Sequence, residues 1–186
     1  MSEADYFRAL TDLLESKLFH APSAPGGVYE IAEPAQPPFW VDPAGLTSSC
    51  AVRLENLKTT TWPFFKVGHP HAHRRCDLIT IAWDRTHQRP VYVLVELKSS
   101  HTSGAWTQLQ ASLAFCRYLH QMVSVNQTAV TAHFAAVCVK KLPFVLKMPS
   151  TPALPAWKKQ NVSDCPYMVY NRNTSRLPLR AVMASL

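Results

Sequence analysis

Asp77, Glu96 and Lys98 are the residues of this 186-residue chain whose types and spacing suit chemistry. Asp77 lies near the start of an apolar run over 76–83 (CDLITIAW), and Glu96 and Lys98 close a second run over 91–98 (VYVLVELK). Runs rich in Val, Ile, Tyr and Trp read as strands, and the polar stretch 84–89 (DRTHQR) between them reads as a turn. A hairpin whose turn is centred between Thr86 and His87 sets Asp77 opposite Glu96, Ile79 opposite Leu94 and Ile81 opposite Tyr92. Side chains alternate across a strand, so Asp77, Glu96 and Lys98 share one face. Directly opposed residues have Cβ atoms roughly 4.5–5.5 Å apart. Two carboxylates that close in an apolar sheet repel each other and resist desolvation. A divalent cation, Mg²⁺ or Mn²⁺, compensates both effects with oxygen ligands. Lys98 projects beside Glu96, where an ammonium can orient a water or help to deprotonate it. Those parts are what hydrolysis of a phosphodiester requires.

Other groups surround this trio. Arg74 and Arg75 precede Asp77 and either grip a phosphate bidentately or form a solvated basic edge. Ser99 and Ser100 follow the lysine, placed to cap the next helix or to donate to a phosphate. His69, His71 and His73 alternate ahead of the arginines; a polar loop is the plainer reading than a transition-metal site. Lys140-Lys141 and Lys158-Lys159 either contact backbone phosphates or are solvated surface charge, the plainer reading. The five cysteines are scattered, with no CxxC pair, and read as reduced, mostly buried thiols.

Certain elements must position these residues. Residues 3–19 carry Tyr6, Leu10, Leu13, Leu14 and Leu18 at helical spacing, with Ser2 as N-cap. Residues 21–45 are rich in proline and predict irregular wall with one short strand at 28–31. A second helix is expected over 46–58, and a strand starting within 62–67. After the hairpin come a helix over about 104–122 and an apolar strand within 129–139. A short strand is expected at 167–170, after a second proline-rich stretch. Along 91–98 both alternating sets are apolar up to Glu96, so neither face of that strand is solvated. The fold class is therefore α/β, a mixed central sheet flanked by helices on both faces. One domain over 1–186 is expected, with a core at about 46–140.

The segment Arg75-Cys76-Asp77-Leu78-Ile79, with eighteen residues between Asp77 and Glu96-Leu97-Lys98, resembles the signature of the PD-(D/E)xK, or restriction-endonuclease-like, nuclease superfamily. Cys76 stands where that motif has its proline. The helix 104–112 (GAWTQLQAS) is similar to the one that often carries an additional active-site glutamine in that superfamily. The resemblance covers about 46–140 and implies an αβββαβ core, the order read above. It implies metal binding by Asp77, Glu96 and the Leu97 carbonyl, with Lys98 catalytic and Gln108 beside it. It also implies an acidic metal ligand on the first core helix, for which Glu55 is preferred to Glu15.

Composition bounds the partners. Hydrophobic residues at 47% and charged residues at 17% indicate a folded chain rather than a disordered one. A net charge of +7 suits a polyanion, nucleic acid and DNA first. The N-terminus lacks the pattern of a signal peptide, and no apolar run approaches a membrane span, so a cytoplasmic protein with no membrane partner is expected. No separate sequence-reading module is visible, so a targeting partner or a homodimer is a further expectation. The alternative to a nuclease is an inactive nuclease-fold module that binds nucleic acid or a protein.

Overall fold

The structure, a computed structural model, describes residues 1–23, 27–32, 38–46, 48–54, 74–98, 104–125, 130–140, 165–171 and 176–186. Helix α1 (Glu3–Leu13) begins at Ser2, whose Oγ accepts the Asp5 N–H at 3.2 Å. A single 3₁₀ turn and the two-residue strand β1 (Phe19–His20) follow. Strands β2 (Tyr29–Ile31), β3 (Phe39–Asp42) and β4 (Ser49–Val52) precede the hairpin of β5 (Leu78–Asp84) and β6 (Arg89–Lys98). Helix α2 (Ala105–Ser124), strands β7 (His133–Lys140), β8 (Tyr167–Asn171) and β9 (Arg176–Pro178), and helix α3 (Leu179–Ala184) complete the order.

Six strands form the central mixed sheet in the order β1-β4-β5-β6-β7-β8. The first four pair antiparallel, and β6, β7 and β8 run parallel. A parallel neighbour needs a long return, and α2 supplies it between β6 and β7. The hairpin register is the expected one: Ile79 faces Leu94 and Ile81 faces Tyr92. Gln88 adopts a positive φ of 52° and closes the turn, its amide donating to the Arg85 carbonyl.

Both faces of the sheet are covered, as the apolar β6 requires. On one face α1 and α2 bury Tyr6, Leu10, Leu109 and Leu113 against Ile79, Ile81, Tyr92 and Leu94. The other face meets a small three-stranded sheet, β2-β3-β9, together with α3. Helices on both faces were expected; one layer is mostly sheet instead. Its strands come from 29–31, 39–42 and 176–178, too far apart in sequence for local pattern to reveal the pairing. Pro38 immediately precedes β3, where its missing N–H costs no ladder bond.

Two helix expectations are corrected. The first helix ends at Leu13 rather than at 19. The expected helix over 46–58 is overturned, because residues 49–52 are β4, between β1 and β5. Ala51 packs against the small sheet and Val52 against the helices, so both sides of β4 are apolar and no alternation betrays a strand. The strand expected within 62–67 lies outside the described residues. Strand β8 does form where 167–170 suggested it and covers the edge of β7.

A directional chain of hydrogen bonds ties α1 to this core. His120 Nε2 stands 2.8 Å from the Val130 carbonyl, which can only accept, so the neutral ring carries its proton there. Nδ1 then accepts from the Tyr6 hydroxyl at 3.0 Å, and Tyr6 in turn accepts from Tyr92. Burial holds the His120 imidazole below its usual basicity, against the opposing pull of the Val130 carbonyl. A depressed folded-state value means that the unfolded chain takes up a proton first as the pH falls. The contribution is therefore full above about pH 6.5, the ordinary histidine value, and is lost below it. Urea midpoints measured from pH 8 to pH 5 should fall through that window, and His120→Gln should flatten the fall; an equally steep profile in the variant would contradict this assignment.

Candidate active site

Three polar side chains are buried among the described residues, Thr80, Glu96 and Ser112, and two of them lie at one end of the sheet. Thr80 satisfies itself on the Val93 carbonyl within the hairpin. Glu96 is different, since a carboxylate 1% exposed carries a charge that only a close partner can hold there. Lys98 is that partner: its Nζ lies 2.6 Å from Glu96 Oε1. The same Nζ donates to Gln108 Oε1, also at 2.6 Å. Gln108 Nε2 in turn donates to the Arg75 carbonyl at 3.2 Å. The lysine is thus gripped between a strand carboxylate and a helix amide, and the amide between the lysine and the chain leading to Asp77.

Helix α2 is placed to do this by its own periodicity. Gln108 and Ser112 are one turn apart and share a face. Ser112 Oγ accepts the Cys76 N–H at 2.8 Å, so one helix stripe holds two successive residues ahead of β5. Ser112 was not singled out from the sequence; a serine four residues after Gln108 on a mostly apolar helix was the available signal. Cys76 is buried, and burial pushes its thiol up to about 12, so it serves as a packed neutral group. The helix begins after Gly104, at φ 80°, which has no side chain with which to cap it; Ser99 and Ser100 lie outside the described residues.

Asp77 sits one residue before β5, and its Oδ2 accepts the Leu97 N–H at 2.6 Å. In a strand, the N–H and C=O of one residue point to the same side. The Leu97 carbonyl therefore faces the β5 side, the side of Asp77. Asp77, Glu96 and Lys98 belong to the face covered by α2, as Ile79 and Leu94 do. Their donor set is two carboxylates and one backbone carbonyl, all oxygen. That set fits Mg²⁺ or Mn²⁺, which bind through one or two carboxylates and keep several waters. Among the described residues no group of three His, Cys, Asp or Glu side chains could hold a metal ion, so such a cation would draw on the carbonyl and water as well.

The flanking residues divide. Arg75 Nη1 donates to the Leu54 carbonyl at 2.6 Å, and desolvation lowers its basicity; this arginine braces the end of β4. Arg74 is half-buried, and its Nη1 lies 3.9 Å from where a Cβ on Gly104 would stand. Glu15 lies beyond the end of α1, exposed and paired with Lys17 at 2.5 Å. Glu55 and Ser99 lie outside the described residues, as do the three alternating histidines, Lys141 and Lys158-Lys159. The five cysteines are free thiols, four of them buried.

Comparisons of the chain with protein-family models, with curated proteins and with solved structures find no match.

Ser112→Ala should remove the acceptor for a buried N–H and cost about 1–3 kcal/mol of stability, read from urea denaturation. Ser112→Cys, which retains a weak acceptor, should lose less; equal stability of the alanine variant and the parent would remove Ser112 from the network.

Proposed function

We propose that the protein is a metal-dependent nuclease of the PD-(D/E)xK kind that hydrolyses phosphodiester bonds, with DNA as its substrate. The observation that carries this reading is the shared grip on Lys98: a buried carboxylate and the helix amide of Gln108 hold one ammonium, and Asp77 accepts the N–H of Leu97, the residue between Glu96 and Lys98. A buried ion pair contributes little to stability compared with an apolar pair of similar volume, because desolvation offsets the attraction. Keeping one at the end of a sheet is better explained by chemistry. A net charge of +7 supports a polyanionic substrate. The restriction-endonuclease-like core is supported by the order α1, β4, β5, β6, α2, β7, with β1, the small sheet, β8 and α3 as additions.

Asp77, Glu96 and the Leu97 carbonyl would hold Mg²⁺ or Mn²⁺. When bound, that ion supplies a hard Lewis acid that offsets phosphate charge and makes water more acidic. Lys98 presents its ammonium where it orients the attacking water and meets charge developing on the phosphoryl oxygens. Gln108 holds Lys98 in one rotamer, and Ser112 keeps the helix in register with the chain ahead of Asp77. Arg74 is the nearer candidate for a backbone phosphate, since one Arg75 nitrogen is bound to Leu54.

Purified protein incubated with single- and double-stranded DNA and RNA should cleave with Mg²⁺ or Mn²⁺ and not with EDTA. Asp77→Ala and Lys98→Ala should each lose about 10²-fold or more in rate. Gln108→Ala should lose roughly 10-fold to 100-fold, as a supporting residue does. Binding without cleavage under every metal condition would identify an inactive nucleic-acid-binding module instead. Cleavage undiminished in the Asp77 and Lys98 variants would sink the site.

A further inference from the structure

The turn end of the β5–β6 hairpin lies about 20 Å along the strands from Glu96. There a cavity of about 530 Å³ opens between the hairpin turn, the 45–46 turn, the start of β7 and α3. Its volume falls within the range of small-molecule sites. Leu46, Val91 and Met183 give it an apolar wall, and Arg89, Arg180, His87 and His133 give it basic groups around the side-chain carboxylate of Asp84. Val91 packs on the small-sheet face, and the Glu96–Lys98 pair on the helical face, so the two sites occupy opposite ends and opposite faces.

The basic groups are positioned rather than scattered. Asp84 organises the turn: its Oδ1 accepts the N–H groups of Thr86 and His87, and its Oδ2 accepts from His87 Nδ1 at 2.6 Å. Arg89 Nε stands 3.7 Å from the same Oδ2. Arg85 is turned to Glu3 at 3.2 Å, which leaves Arg89 and Arg180 as the arginines for a ligand. Arg180 lies across Gly45, where a Cβ would stand 3.0 Å from its Nη1 and 3.2 Å from its Cδ. Gly45, at φ 80°, thus makes both the turn and the bed on which the guanidinium stem rests. His133 Nδ1 is buried and has no hydrogen-bond partner among the described residues.

We propose that this cavity binds a small phosphate ester, its phosphate gripped by Arg89 and Arg180 and its apolar body laid against Leu46, Val91 and Met183. A phosphate monoester carries close to two negative charges at neutral pH. Arg89 and Arg180 against the Asp84 side chain leave one positive charge among these three side chains, with Arg85 balanced by Glu3, so a dianion draws further positive charge from a proton taken up by an imidazole. His133 is suited to this: burial, then the Arg89 charge, holds its basicity down, with Asp84 opposing and His87 reinforcing. A dianion in the cavity reverses that balance, so binding draws a proton onto His133.

Calorimetry with inorganic phosphate, AMP and ADP, run in two buffers of different ionisation enthalpy near neutral pH, tests this. AMP or ADP should bind more tightly than phosphate and with net proton uptake, and the His133 ring resonances should titrate at higher pH when it is bound. Arg180 is exposed, so Arg180→Met should fold normally and weaken binding at least about tenfold. Asp77→Ala should bind as the parent does. The proposal is overturned if the folded parent binds none of the three probes. It is equally overturned if Arg180→Met binds undiminished, if Asp77→Ala loses binding, if AMP binds no better than phosphate, or if only a short single-stranded oligonucleotide saturates the cavity.

Discussion

A carboxylate removed from water at the end of an apolar sheet is the constraint on which the candidate site depends. Glu96 holds its place through Lys98, and the lysine needs a second fixed acceptor to keep one geometry. Gln108 is that acceptor, which obliges α2 to dock at one rotation and one height over β6. The same rotation brings Ser112 to the Cys76 N–H and Gln108 to the Arg75 carbonyl. The chain ahead of β5 is thereby clamped, and Asp77 reaches the Leu97 N–H. Five polar contacts from one strand, one helix and one connecting segment form a single arrangement, in which loosening any member loosens the rest.

The apolar layers make that arrangement possible. Strand β6 is buried on both faces along nearly its whole length, so its two ends are where polar side chains emerge. At one end the helical layer encloses the Glu96–Lys98 pair. At the other, the small sheet and α3 leave a basic cavity beside the hairpin turn. The edges are handled by short strands, with β1 of two residues on one side and β8 of five on the other. A stiff, doubly covered hairpin therefore connects two polar sites that share no side chain.

Much of this was legible locally. The register of β5 and β6 followed from the polar turn and two β-rich runs, because antiparallel neighbours joined by a short turn pair by counting outward from it. That counting set Asp77 across from Glu96 on the Lys98 face, and the helix pattern after 104 set Gln108 on α2. Misreadings arose where local pattern is ambiguous. Residues 49–52 are apolar toward both layers, so a buried strand looked like part of a helix. The proline-rich 21–45 hid β3, although Phe39 and Val41 alternate with Trp40 and Asp42 as a strand requires.

The sequence by itself determined the hairpin, its register and the chemical types gathered on one face, because those depend on contacts between residues close along the chain. Only the tertiary structure decided that Gln108 grips Lys98, that Ser112 holds Cys76, that β9 pairs with β3 and that Arg180 lies over Gly45. Each of these joins segments whose meeting depends on how whole layers pack, and layer packing is selected by the summed burial of many side chains rather than by the pattern of any one stretch. Asp77, Glu96 and Lys98 were visible as residue types; their mutual arrangement as a site is a property of where α2 comes to rest.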